Sequence, residues 1–265
     1  MTRTWTPGAA DAALDAVART PRLLVALDFD GTLSELVVDA MSARAVPEAA
    51  AAIERLAALP DTLVALVSGR SLDHLRIIAE HDDASPVALA GSHGAQEWIP
   101  GTGETDPVDP PEERALREQL WVDVEELLAA YPGVELERKT YGLGIHGRPA
   151  DPAVEAQAFS AVDQLMARRA PHWRRRTGSR ILEFSSRQEG KDAAIAALRE
   201  RFAATAVVFA GDDVTDEDAL RSLHPGDLGV RVGPGESAAD LRVENPQQIA
   251  ALLGVIAAER GAGRE

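Results

Sequence analysis

The apolar run Leu23-Leu24-Val25-Ala26-Leu27 stops abruptly at Asp28-Phe29-Asp30-Gly31-Thr32. A continuous run bounded by a polar, glycine-containing turn fits a strand buried on both faces, as in a parallel sheet. The pattern recurs three times. Thr62–Val67 ends in Ser68-Gly69-Arg70, Pro86–Ala90 ends in Gly91-Ser92-His93-Gly94, and Ala206–Ala210 ends in the acidic stretch Gly211–Asp218. Helical spacing fills the intervals: Ala9–Thr20 closed by Pro21, Pro47–Leu59 with Pro in its first turn, and Ser71–Glu80. Strand, polar turn and helix in alternation predict an α/β fold with a doubly wound parallel sheet. Every polar turn follows a strand, and the carboxyl edge of such a sheet is where ligands bind.

The alternation breaks after residue 100. Gly101–Pro111 is rich in Gly, Pro and acidic residues, the composition of a linker. Glu112–Ala130 reads as an amphipathic helix with Leu116, Leu120, Val124, Leu127 and Leu128 on one side. Val134–Arg148 alternates as antiparallel strands do, Asp151–Ala170 is again helical, and Trp173–Ser185 reads as further strand. Gly190-Lys191 opens a helix to Phe202, a last strand spans Asp227–Val232, and a helix from Pro246 to Arg260 follows. The expected organisation is a core over 1–108 and 179–265, split by an inserted α+β module over 109–178.

Composition narrows the class. With 265 residues, 45% hydrophobic and 26% charged, the chain can bury a substantial core. A net charge of −16 argues against gripping a nucleic-acid backbone, and four Trp, two Tyr and five Phe leave little for base stacking. There is no cysteine, which excludes disulfides, thiol nucleophiles and thiolate metal sites. No apolar stretch is long enough to span a bilayer, and the first 21 residues lack an apolar leader core, so a cytoplasmic protein is expected. Only two of the 27 Lys and Arg are lysines, at 139 and 191.

Brought to one sheet edge, Asp28, Asp30, Ser68, Lys191, Asp212 and Asp213 form a group of carboxylates with one hydroxyl and one ammonium. Such carboxylates repel unless a hard cation such as Mg²⁺ shares the site. Cation, ammonium and hydroxyl together suit a phosphoryl group, which a central carboxylate can attack. Each residue alone has a plainer reading: Asp-x-Asp as a turn or cap, Ser68 as a capped turn, Lys191 as a surface lysine, Asp212–Asp218 as an acidic helix start.

In order, the run Leu24–Leu33, Val67-Ser68, Lys191 and Gly211-Asp212-Asp213 resemble the four motifs of the haloacid dehalogenase superfamily. The resemblance implies a Rossmann-like core with an inserted cap. It makes Asp28 the nucleophile and Asp30 the general acid and base. Mg²⁺ is then held by the Asp28 side chain, the Asp30 carbonyl and Asp212, with Asp213 and Asp216 in support. Ser68 and Lys191 hold phosphate oxygens.

The further stretches Val67–Arg70, Gly91–Glu97, Glu137–Lys139, His146–Arg148, Gly178–Glu183 and Gly211–Asp218 resemble the trehalose-6-phosphate phosphatase family. That resemblance implies hydrolysis of the sugar phosphate through an aspartyl-phosphate, with Arg70, His93, Gly94, Glu137, Lys139, His146, Arg148 and Glu183 on the substrate. It also implies a small-molecule substrate, no nucleic acid or membrane partner, a monomer, and a trehalose-phosphate synthase as pathway partner. Other readings are a phosphatase for sucrose 6-phosphate or mannosyl-3-phosphoglycerate, a phosphosugar mutase, or a non-catalytic regulatory module. Two departures stand out. Gly147 occupies a position where the family usually has an aromatic, and six arginines crowd residues 168–180. The alternative reading of Glu137 and Lys139 is an exposed ion pair, and that of the arginines is partners of neighbouring carboxylates.

Overall fold

The apolar runs form parallel strands because their alternate residues feed two separate cores. In a computed structural model, which describes residues 2–37, 39–105, 107–178 and 180–263, the chain divides into two units, Met1–Asp106 with Glu189–Glu265, and Pro107–Gln188. Asp106 and Ser179, within the linker and Gly178–Glu183 stretches singled out above, lie outside the described residues.

The first unit begins with β1 (Arg3–Thr4), α1 (Ala12–Ala18), β2 (Leu23–Leu27), α2 (Pro47–Ala57), β3 (Thr62–Val67), α3 (Leu72–Ile78) and β4 (Ala88–Gly91). Two short strands follow, β5 (Gln96–Ile99) and β6 (Gly103–Thr105). The second unit contains α4 (Pro111–Leu128), β7 (Glu135–Lys139), β8 (Gly142–His146), α5 (Pro152–Arg169), β9 (Arg174–Gly178) and β10 (Ile181–Ser185). The chain then returns to the first unit through α6 (Lys191–Phe202), β11 (Ala206–Gly211), α7 (Glu217–Ser222), β12 (Leu228–Val232), β13 (Leu241–Val243) and α8 (Pro246–Ala262).

The nine-stranded sheet has the order β1-β13-β12-β11-β2-β3-β4-β5-β6, parallel from β1 to β4 and antiparallel at β5 and β6. Leu23, Val25 and Leu27 of β2 join one core with residues of α1, α2, α3 and α8. Leu24 and Ala26 face the other, with Ala194, Ile195 and Leu198 of α6 and Leu220 of α7. Both faces are therefore covered, which is why β2 shows no polar alternation. At the edge away from the polar turns, the buried Arg260 of α8 donates to the carbonyls of Ala18, Thr20, Pro21 and Asp61 and to Thr62 Oγ1. One guanidinium thus ties together the loops that enter β2 and β3.

The second unit is a four-stranded antiparallel sheet, β7-β8-β10-β9, packed on α4 and α5 through Leu120, Val124, Leu143, Ile145, Val162 and Leu182. Its limit differs from the expected residue 178. Ile181–Ser185 pairs with both β8 and β9, so the unit continues to Gln188. The strand expected over Trp173–Ser185 is a hairpin, with Arg180 at φ +59° in its turn. Gly103–Thr105, read as linker, is the sheet-edge strand β6.

Candidate active site

Chain progression reverses at β2: β3 and β4 lie to one side, β11 to β13 to the other. Such a switch point leaves a crevice beyond the carboxyl ends of the strands. Asp28 follows β2, and its N–H continues the ladder to Ala210 O of β11 at 2.9 Å. Asp212 follows β11, Ser68 follows β3, and Lys191 opens α6. The topology alone brings these four positions to one edge.

Lys191 Nζ donates to Asp28 Oδ1 at 2.5 Å and to Asp216 Oδ1 at 2.6 Å, and all three residues are buried. Burial works against the ammonium, but Asp216 and Asp28 outweigh it and raise Lys191 above the ordinary lysine range. One ammonium does not balance the carboxylates. Ligand oxygens of Asp28, Asp212 and Asp216 lie within 4.8 Å of one another. Burial pushes Asp28 well above the carboxylate range; Lys191 pulls the other way, and Asp216 and Asp212 add to the rise. Asp212 is pushed up to about 7, by burial first and by Asp216 next. Carboxylates that resist ionisation together mark a site short of positive charge, a donor set that suits a hard divalent cation with oxygen ligands.

The backbone makes room for this crowding. Gly31 has φ +77°, and a Cβ there would run into the Asp212 carboxylate. A Cβ on Gly211 would run into that of Asp216. Asp216 takes Lys191 on one oxygen and the Asp213 N–H on the other, at 2.9 Å. Asp216 thus links the acidic loop to the lysine. Asp28 likewise takes Lys191 on Oδ1 and the Thr32 hydroxyl on Oδ2, at 3.3 Å.

Around them, the Ser68 hydroxyl accepts the Arg70 N–H at 3.2 Å, and His93 N–H donates to Ser68 O at 2.9 Å. Arg70, which the resemblance assigns to the substrate, is paired within the protein. Its Nε and Nη2 each donate to Asp30, to Oδ2 and Oδ1 respectively, both at 2.6 Å. Ser92 and His93 have φ of 50° and 59°, and Gly94 follows at 99°. Three successive residues in the left-handed region hold the His93 ring over Gly69 and bring Gly94 against Ala194 of α6.

In the second unit, strand register places Glu137, Gly144 and Glu183 in one row across β7, β8 and β10. Lys139, two residues from Glu137, shares its face. The Lys139 ammonium crosses to Glu183 and lies 3.5 Å from Glu137 Oε2, and His146 Nε2 pairs with that same oxygen at 2.8 Å. Gly144 permits the crossing, since a Cβ there would sit 3.0 Å from both Glu137 Oε2 and Lys139 Cε. Burial alone would raise Glu137, but the His146 hydrogen bond and Lys139 hold it below its usual range. Burial alone would lower Lys139, but Glu183 and Glu137 hold it above. Glu137, Lys139, His146 and Glu183 are thus one charged cluster rather than a solvated pair.

Arg148 is exposed nearby. Gly147 has a physical reason: a Cβ there would collide with the Glu155 carboxyl group, which pairs with Arg180 at 2.5 Å. Three of the six arginines pair with carboxylates, Arg169 with Asp123, Arg175 with Asp163 and Arg180 with Glu155. Sequence reasoning did not show the Arg70–Asp30 pair or the bond from Lys191 to Asp216, because partners 40 and 25 residues apart meet only through the sheet.

The family model for trehalose-phosphatase matches residues 26–246. The chain is 31% identical over 232 residues to a trehalose-6-phosphate phosphatase of Escherichia coli strain K12, covering 86% of this chain and 84% of that protein. It is 31% identical over 264 residues to a trehalose-phosphate phosphatase of Mycobacterium marinum, covering 93% of this chain but only 66% of the mycobacterial protein. In fold it is similar to the C-terminal domain of a C. albicans trehalose-6-phosphate phosphatase, with a TM-score of 0.81 at 21% identity over 97% of this chain and 99% of that one. The chain therefore belongs to the trehalose-phosphatase family, as a phosphoric monoester hydrolase.

Proposed function

We propose that this enzyme hydrolyses trehalose 6-phosphate to trehalose and inorganic phosphate with Mg²⁺, through a phosphorylated Asp28. The observation that carries the reading is the meeting of Asp28, Asp212 and Lys191 at the switch point of the sheet, in a chain of this family. Asp28, the Asp30 carbonyl and Asp212 would hold the Mg²⁺, which when bound offsets negative charge shared by the phosphoryl group and the carboxylates. Ser68 and Lys191 hold phosphoryl oxygens, and Asp213 and Asp216 keep the acidic loop in place.

An Asp28 carboxylate oxygen attacks phosphorus as the bond from phosphorus to the sugar oxygen breaks, and Asp30 gives that departing oxygen a proton. Water then attacks phosphorus and yields its proton to Asp30, while the bond to Asp28 breaks and inorganic phosphate leaves. In this reading Glu137, Lys139, His146, Arg148 and Glu183 of the second unit are assigned to sugar hydroxyls, and His93 and Gly94 are separately assigned to the substrate. The charged cluster supports this assignment, because its carboxylates and ammonium can exchange internal pairs for hydroxyls.

A site built to hydrogen-bond particular hydroxyls discriminates strongly against substrates lacking them. The expected kcat/KM for trehalose 6-phosphate therefore exceeds those for glucose 6-phosphate and sucrose 6-phosphate by about 100-fold or more. Phosphate release at equal rates from all three would reassign the substrate. In the same reading the enzyme is a cytoplasmic monomer supplied by a trehalose-phosphate synthase. Among the described residues no helix is long and apolar enough to cross a membrane.

A further inference from the structure

We propose that Arg70 is the positioning residue for Asp30, holding the carboxylate in the orientation from which it exchanges protons with the leaving group and with water. The proposal rests on the reading of Asp30 as general acid and base.

Asp30 is a poor candidate for precise work without help. Its side chain is 31% exposed, and it stands directly before Gly31, whose φ of +77° turns the chain sharply away. The Arg70 guanidinium supplies that help. Two parallel bonds, Nε to Oδ2 and Nη2 to Oδ1, both 2.6 Å, fix the plane of the carboxylate as well as its position.

Arg70 is itself seated. Its N–H donates to the Ser68 hydroxyl at 3.2 Å, and its carbonyl accepts the Ser92 N–H. Ser92 lies in the strained left-handed segment that also places His93 over Gly69. A continuous set of contacts thus runs from the strand-end loops after β3 and β4 to the carboxylate after β2. A guanidinium that spends two forked nitrogens on Asp30 is poorly arranged to be primarily a sugar contact. A stabilising surface pair is the plainer alternative, and such pairs contribute little. The two roles separate in kinetics.

The test is a double-mutant cycle on purified enzyme, with kcat and KM measured for wild type, Arg70→Met, Arg70→Lys, Asp30→Asn and the Arg70→Met/Asp30→Asn double variant. General acid and base groups are worth about 10²–10⁴ in rate. Arg70→Met is therefore expected to lower kcat by about 30- to 100-fold while KM moves less than about threefold. Arg70→Lys should recover no more than about a tenth of the wild-type kcat, because a point charge cannot grip both oxygens. The double variant should be no slower than Asp30→Asn alone, since Arg70 acts only through Asp30.

Three outcomes would overturn the proposal: a KM increase of tenfold or more with kcat held, which makes Arg70 a substrate contact; losses that multiply in the double variant; or a lower Tm with kcat unchanged. Should Arg70→Met lose its cooperative melt, Arg70→Lys and its double with Asp30→Asn carry the same cycle. Wild type that fails to release phosphate from trehalose 6-phosphate sinks the substrate reading instead. The cycle is then run on p-nitrophenyl phosphate, whose phosphorylated enzyme still needs Asp30 to activate water.

Discussion

Replacing Asp28 by asparagine is expected to reduce kcat by about four orders of magnitude or more, the scale on which enzymes lose activity when a nucleophile is removed. Asparagine keeps the shape but presents a neutral amide, which is a poor nucleophile toward phosphorus. The fold should survive. Asp28 is one of three crowded carboxylates, so its neutralisation removes repulsion with Asp212 and Asp216 and leaves Lys191 paired to Asp216. The variant should melt within a few degrees of wild type, and it should form no acid-stable, base-labile phosphoryl adduct with substrate. Turnover within tenfold of wild type would require a different nucleophile.

Removal of Lys191 should act on both stability and rate. Its ammonium is the cation between Asp28 and Asp216, with side-chain exposures of 3%, 7% and 0%. Breaking a buried ion pair by deleting one partner costs about 3–5 kcal/mol, because the other charge stays behind unpaired. In Lys191→Met two carboxylates lose their partner at once, and Asp212 stands close by. The expected loss is roughly 10 °C in Tm for a chain of this size, with kcat reduced about 100-fold or more by loss of a phosphoryl-oxygen contact. Added Mg²⁺ should raise the Tm of Lys191→Met by more than that of wild type, since the carboxylates it meets no longer face a competing ammonium. A Tm unchanged from wild type in Mg²⁺-free buffer would show that the lysine does not carry the balance of charge assigned to it.

The parts of the fold that were legible in the sequence are those whose burial on two faces leaves unbroken apolar runs. Leu23–Leu27, Thr62–Val67 and Ala206–Ala210 are of this kind, and each announces its end with a polar turn. The residues closing those runs, Asp28, Ser68 and Asp212, could be placed at one edge from the sequence alone, because parallel strands point the same way. Short edge strands left no such signal. Arg3–Thr4 and Gly103–Thr105 are held by sheet pairing rather than by an apolar face. The hairpin hidden in Trp173–Ser185 carries charged side chains on β9, Arg174 to Arg176, so its alternation was masked by arginines, of which Arg175 pairs with Asp163.

Contacts made across the sheet were legible least. Arg70 read as a substrate residue because its motif carried that implication. Its partner Asp30 is 40 positions earlier, at the end of a neighbouring strand. Glu137 and Lys139 left an exposed ion pair open as an alternative to sugar contact, because Glu183 reaches them only through the register of β7, β8 and β10.

Phosphate release from trehalose 6-phosphate, measured with Mg²⁺ and again after the enzyme is stripped with a chelator, tests the central claim most directly. The expected result is steady turnover with Mg²⁺, at least about 100-fold slower release without it, and full recovery when Mg²⁺ is restored. Release that is unaffected by chelation, or no release from this substrate while Mg²⁺ is present, would contradict it.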